Sequence, residues 1–138
     1  MGRSQARKRI DRKVNAEFKP IFVRLRRILE PYAGRLKVTA DAADHYCLEL
    51  AASPKLNKAF PAAWIKIGKG YVSYHFMPVY MFPTLRDGLS DKLRARMQGK
   101  SCFNFKVLDE DLFAELEKAT AEGFAMCRKA GFGHGLPG

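Results

Sequence analysis

The chain has 138 residues, 47% of them hydrophobic, and a formal net charge of +11. A chain of this size buries roughly 70% of its extended surface on folding, so one globular domain without covalent staples is expected. The composition argues against a membrane-spanning protein, because no run of about 18 apolar residues occurs, and against a disulfide scaffold, because Cys47, Cys102 and Cys127 cannot all pair.

The charge is uneven. Residues 1–37 hold 12 Lys/Arg against 3 Asp/Glu, and residues 38–138 hold 13 against 11. The basicity therefore belongs to the N-terminal arm and first helix, a pattern that attracts phosphate or an acidic partner and is also that of a solvated tail. Residues 1–14 carry Arg3, Arg7, Lys8, Arg9, Arg12 and Lys13 among few apolar groups and read as a flexible arm. These six cations are the candidates for contact with nucleic acid, although no aromatic interleaving accompanies them. No signal-peptide stretch follows, so a cytoplasmic protein with reduced thiols and no membrane partner is expected.

The folded domain is expected over residues 15–131. Asn15 can cap a helix in which Phe18, Ile21, Phe22, Leu25, Ile28 and Leu29 form one apolar stripe, with Pro20 near the first turn and Pro31 as the stop. Leu36, Val38 and Ala40 alternate with polar residues, as do Tyr46, Leu48 and Leu50, and both segments read as strands. Residues 51–61 read as a loop. Ala63, Ile65 and Ile67, the turn Gly68-Lys69-Gly70, and Val72, Tyr74 and Phe76 make a hairpin. Residues 78–88 read as irregular chain over the core. Ser90 can cap a short helix over 91–97 with Gly99 closing it, and residues 101–106 form the last strand. Asp109 caps a C-terminal helix whose buried stripe is Leu112, Phe113, Leu116, Ala119, Phe124 and Cys127. Gly131 ends it, and residues 132–138 read as a flexible Gly-rich tail. The order gives an α+β fold, a largely antiparallel sheet of about five strands with the N- and C-terminal helices on one face.

The other face then carries the chemistry. Trp64, Lys66, Tyr71, Ser73, His75, Cys102 and Asn104 are the candidate ligand-contact residues, since their parity places them away from the core. His45, Cys47 and Glu49, joined by His75, are candidate ligands for zinc or iron, because imidazole and thiolate suit those metals. Side chains at i and i+2 stand about 7 Å apart along a strand, so other strands must contribute for a metal to bind. The alternative for the same residues is a half-buried cysteine and hydrogen-bonded histidines.

Two further motifs are weaker. Gln98-Gly99-Lys100-Ser101 lacks the first glycine of a phosphate loop, Arg94 standing there, and has a helix before and a strand after it. Cys102 with His75 suggests a nucleophile and base, but a strand interior does not lower a thiol pKa as an exposed helix N-terminus would. No catalytic set is assigned.

The segments Tyr71-Val-Ser-Tyr-His-Phe-Met-Pro-Val-Tyr and Met97-Gln-Gly-Lys-Ser-Cys-Phe-Asn-Phe-Lys, followed by Asp109, Leu112 and Phe113, resemble the YdhG-like family. That resemblance spans roughly residues 18–130 and implies a compact α/β sandwich of helices on an antiparallel sheet. The family's defining domain is mostly of unknown function, and one branch looks like a frataxin-type iron chaperone with an acidic surface. Here the acidic residues Asp109, Glu110, Asp111, Glu115, Glu117 and Glu122 gather on the C-terminal helix. Three functions are thus carried forward: a small binding domain holding a small molecule, metal or protein on the uncovered sheet face, an iron- or metal-handling chaperone, and a nucleic-acid-associated protein acting through its arm.

Overall fold

A computed structural model describes residues 18–52, 58–132 and Leu136. The basic arm and the Asn15 cap lie outside these residues. Helix α1 is described over residues 18–29 and passes at Glu30–Tyr32 into a 3-10 turn opened by Pro31. Its whole apolar stripe, Phe18, Ile21, Phe22, Leu25, Ile28 and Leu29, is buried. Strands β1 (Lys37–Ala42), β2 (His45–Leu50), β3 (Phe60–Ile67) and β4 (Val72–Phe76) follow. Then come α2 (Met77–Met81), α3 (Pro83–Asp87), α4 (Asp91–Arg94), β5 (Met97–Gln98), β6 (Cys102–Phe105) and α5 (Glu110–Lys129).

The six strands form one sheet in the order β1-β2-β3-β4-β6-β5, and every neighbouring pair is antiparallel. The expected hairpin is present. Ile67 pairs with Val72, and the amide of Gly68 donates to the carbonyl of Tyr71 at 2.8 Å to close the loop.

Several local readings are corrected. Strand β3 begins at Phe60, inside the expected loop 51–61, and on β1 Val38 is exposed beside a register shift, so the expected alternation does not bury it. Residues 78–88 are not irregular: they hold two single-turn helices, each with a proline in its first turn, where the missing N–H costs no hydrogen bond. Neither is long enough to display a helical period. The short helix after Ser90 stops at Arg94 instead of running to residue 97. The amide of Asn104 bonds to the carbonyl of Arg96 at 2.8 Å, and Met97 and Gln98 pair with β6 as a sixth strand. Gly99, at φ +75°, therefore belongs to the tight turn between β5 and β6 and is not a helix cap.

One apolar cluster holds the fold together. From the sheet it takes Leu48, Ile65, Val72, Tyr74, Phe76, Phe103 and Phe105, all on one face. From α5 it takes Leu112, Phe113, Leu116, Ala119, Phe124 and Cys127. The cap of α5 is as expected: the Asp109 carboxylate accepts from the amide of Leu112 at 3.2 Å. Arg24 ties α1 to α5 through Glu110 at 2.6 Å and Glu117 at 3.7 Å. At the end of α5, Leu136 departs from the flexible tail expected there. It is buried, and its carbonyl accepts from the Arg128 guanidinium at 2.8 Å. The remainder of that tail beyond Phe132 lies outside the described residues.

At Gly123 the α5 backbone lies directly against the end of β4 and the start of α2. A β-carbon added at Gly123 would lie 2.6 and 2.8 Å from the Phe76 ring and 2.9 Å from the Pro78 side chain. Gly123→Ala should therefore destabilise the protein by roughly 1–3 kcal/mol in urea unfolding, because overpacking outweighs the gain in helix propensity. A variant as stable as the wild type would show that the helix can move away from the sheet at little cost.

Candidate functional site

Strand pairing assembles the outward face in two rows. The first runs Cys47, Trp64, His75, Cys102 and Gln98, each the register partner of the next. The second runs His45, Lys66, Ser73 and Asn104 in the same way. None of these residues belongs to the apolar cluster, and every apolar side chain that the helices bury belongs to it. Cys47 is buried, Lys66 and Gln98 are exposed and the rest are half-buried, so the outward face is partly open, whereas the inward one is sealed.

Trp64 is the centre of the first row. The His75 ring stacks on it with centroids 5.0 Å apart and planes 9° from parallel, and His45 stands 6.5 Å away in an edge arrangement. The cross-strand register produces the stack: Trp64 and His75 are direct partners, and side chains so placed are in contact distance. Nδ1 of His75 is 3.4 Å from the Cys102 sulfur and 3.1 Å from the Ser101 hydroxyl.

Burial sets the protonation of this group. It lowers the His75 pKa from its ordinary 6.5. It raises the Cys102 thiol above 9.0, and the hydrogen bond from Ser101 only partly offsets this. Both shifts favour the neutral forms, so at neutral pH the pair is a thiol beside an imidazole and not a thiolate–imidazolium couple. The geometry of a nucleophile and base is present, but its electrostatics run the other way. Tyr74 belongs to the core: its hydroxyl is 2.7 Å from that of Thr120, and burial drives its pKa upward.

From the second row a polar chain links three strands, β4, β6 and β5, and ends at Gln98 of the first row. The Ser73 hydroxyl donates to Oδ1 of Asn104 at 2.8 Å, and Nδ2 of Asn104 donates to Oε1 of Gln98. Lys66 stands exposed at one end of it. Tyr71, also exposed, lies beyond Ser73 along the same strand face.

All seven ligand-contact candidates, Trp64, Lys66, Tyr71, Ser73, His75, Cys102 and Asn104, therefore lie on one surface. Gln98 belongs with them but was assigned to a helix end by the sequence. Its only signal was the strand parity of a two-residue segment, too short for alternation to show.

The metal set is not brought together. His45, Cys47 and Glu49 alternate along β2, and β3 with Trp64 lies between β2 and His75 on β4. Among the described residues, no three His, Cys, Asp or Glu side chains converge to hold a metal ion. Four of the six acidic residues at the cap and along α5 have structural partners. Asp109 caps, Glu110 and Glu117 meet Arg24, and both Glu115 oxygens accept from Ser90, from its amide at 2.7 Å and its hydroxyl at 2.6 Å. The nucleic-acid candidates Arg3, Arg7, Lys8, Arg9, Arg12 and Lys13 lie outside the described residues. Among the described residues, no helix is long and apolar enough to cross a membrane.

No known family model, curated protein or solved structure matches the chain.

Histidine burial gives the face a pH signature. Where the folded pKa is depressed, the unfolded state binds the proton first. Stability should then be full above pH 6.5, fall as pH drops below it, and level off below the folded pKa. The His75 ring, followed by proton NMR, should titrate below 6.5, and His75→Gln should flatten that part of the stability profile. A ring titrating above 6.5 would mean that the imidazolium has an anionic partner.

Proposed function

We propose that this chain is a small cytoplasmic binding domain, without a catalytic step of its own, that holds a small planar ligand on the outward sheet face. The stacked Trp64–His75 pair in a half-exposed row carries this reading. A half-exposed aromatic pair offers dispersion and π-stacking to a flat molecule. Lys66 and the Ser73–Asn104–Gln98 chain beside it supply polar groups that orient a ligand. The neutral state of His75 and Cys102 favours binding over nucleophilic chemistry. The resemblance of residues 71–106 to the YdhG-like family agrees with this, since that family implies a fold and no catalytic set. A metal-handling role has less support, because the candidate donors alternate along β2 and do not converge.

The test is an amide NMR titration with uncharged planar fragments, purine, nicotinamide and indole. At least one should give saturable shifts at the Trp64 indole N–H and at His75. Trp64→Ala should weaken that binding roughly fivefold or more, as loss of a stacking partner does. Absence of saturable shifts with all three would reject the planar-ligand reading.

A further inference from the structure

The outward face ends, at the β5–β6 edge, in a cleft of about 380 Å³ whose lining includes Tyr71, Arg96, Gln98, Asn104 and Lys106. A second cavity of about 270 Å³ adjoins it, sharing Arg96 and Lys106 and adding Lys92 and Asp109. The first cleft has no carboxylate in its lining. In the second, the one carboxylate is Asp109, which already caps α5 through the amide of Leu112. Arg96, Lys106 and Lys92 make no ion pair among the described residues.

The hydrogen-bond chain of the second row runs into this cleft with a fixed polarity. Ser73 donates to Asn104, and Asn104 donates to the carbonyl oxygen of Gln98. The acceptor oxygen of Gln98 is thereby used, and its amide N–H groups have no partner among the described residues. The chain therefore ends at the cleft in donors, beside a guanidinium and an ammonium. A lining of donors and cations without an opposing carboxylate matches an oxyanion with several acceptor oxygens.

We infer that this cleft binds the phosphate of a small phosphomonoester. Arg96 and Lys106 hold its charge, and the Gln98 amide donates to a third oxygen. The inference rests on the reading of the outward face as a ligand surface and extends it, for Ser73 links the cleft to the strand that carries His75 and, through it, Trp64. The ligand class is then a planar group joined to a phosphate.

Inorganic phosphate and phenyl phosphate, titrated separately into the full chain at low ionic strength and followed by amide and side-chain NMR, test this. Both should give saturable shifts clustered at Tyr71, Arg96, Gln98, Asn104 and Lys106. The exposed pair Arg96→Gln with Lys106→Gln should weaken binding of inorganic phosphate about tenfold or more, as removal of two charge-assisted donors does, and Lys129→Gln, an exposed cation outside the cleft lining, should leave it unchanged. Shifts spread over every cationic surface, or binding equal in the double variant, would overturn the inference. The separate reading of Trp64 would then still stand on its uncharged fragments. Conversely, phosphate binding without any fragment binding would keep the anion cleft and reject only the planar platform.

Discussion

The close approach of α5 to β4 decides which side of the sheet stays dry. Gly123 lets the helix backbone come down onto the Phe76 ring and Pro78, and three residues earlier Thr120 meets the hydroxyl of Tyr74. Thr120 also donates to the carbonyl of Leu116 at 2.8 Å, so both buried hydroxyls are satisfied. With β4 fixed in this way, strand alternation forces Ser73 and His75 to the opposite face. The same register carries Trp64, Cys102 and Asn104 outward with them. The open face is therefore a direct consequence of how the core is closed.

Charge follows the same division. Two of the four basic residues described in α1 are engaged: Arg24 with Glu110 and Glu117, and Arg26 with Asp41 at 2.8 Å and over the Tyr46 ring at 4.6 Å. Such partly exposed pairs contribute little to stability individually. Their effect is to tie α1 to α5 and to the end of β1. Lys66 stands on the open face beside Ser73, and Arg96 and Lys106 line the cleft with Gln98 and Asn104. Aromatic surface, directed amides and unpaired cations on one side of one sheet are complementary to a flat, anionic small molecule.

Much of this was legible in the residues. The stripe from Phe18 to Leu29, the hairpin around Gly68, the Asp109 cap and the alternation of β2, β3, β4 and β6 depend on local periodicity and capping, and all appear where that logic places them. Segments without a period were not legible. The turns Met77–Met81 and Pro83–Asp87 are too short to repeat, and Met97–Gln98 becomes a strand only because β6 is there to pair with it. The candidate face could be listed by parity, but its contacts could not. That His75 stacks on Trp64, and that β3 parts His45 from His75, depends on strand order, which no single segment encodes. The donor chain ending at Gln98 was hidden for the same reason.

The helices seal one face of the sheet and leave the other accessible to solvent. Adding a soluble gadolinium chelate to the labelled full chain measures this directly through paramagnetic broadening. The account predicts strong broadening of the Trp64 indole N–H and of the Asn104 and Gln98 side-chain amides, with the methyl groups of Leu48, Ile65 and Val72 unaffected. A Trp64 indole as well protected as the Ile65 methyls would contradict it, for the outward face would then already be occupied.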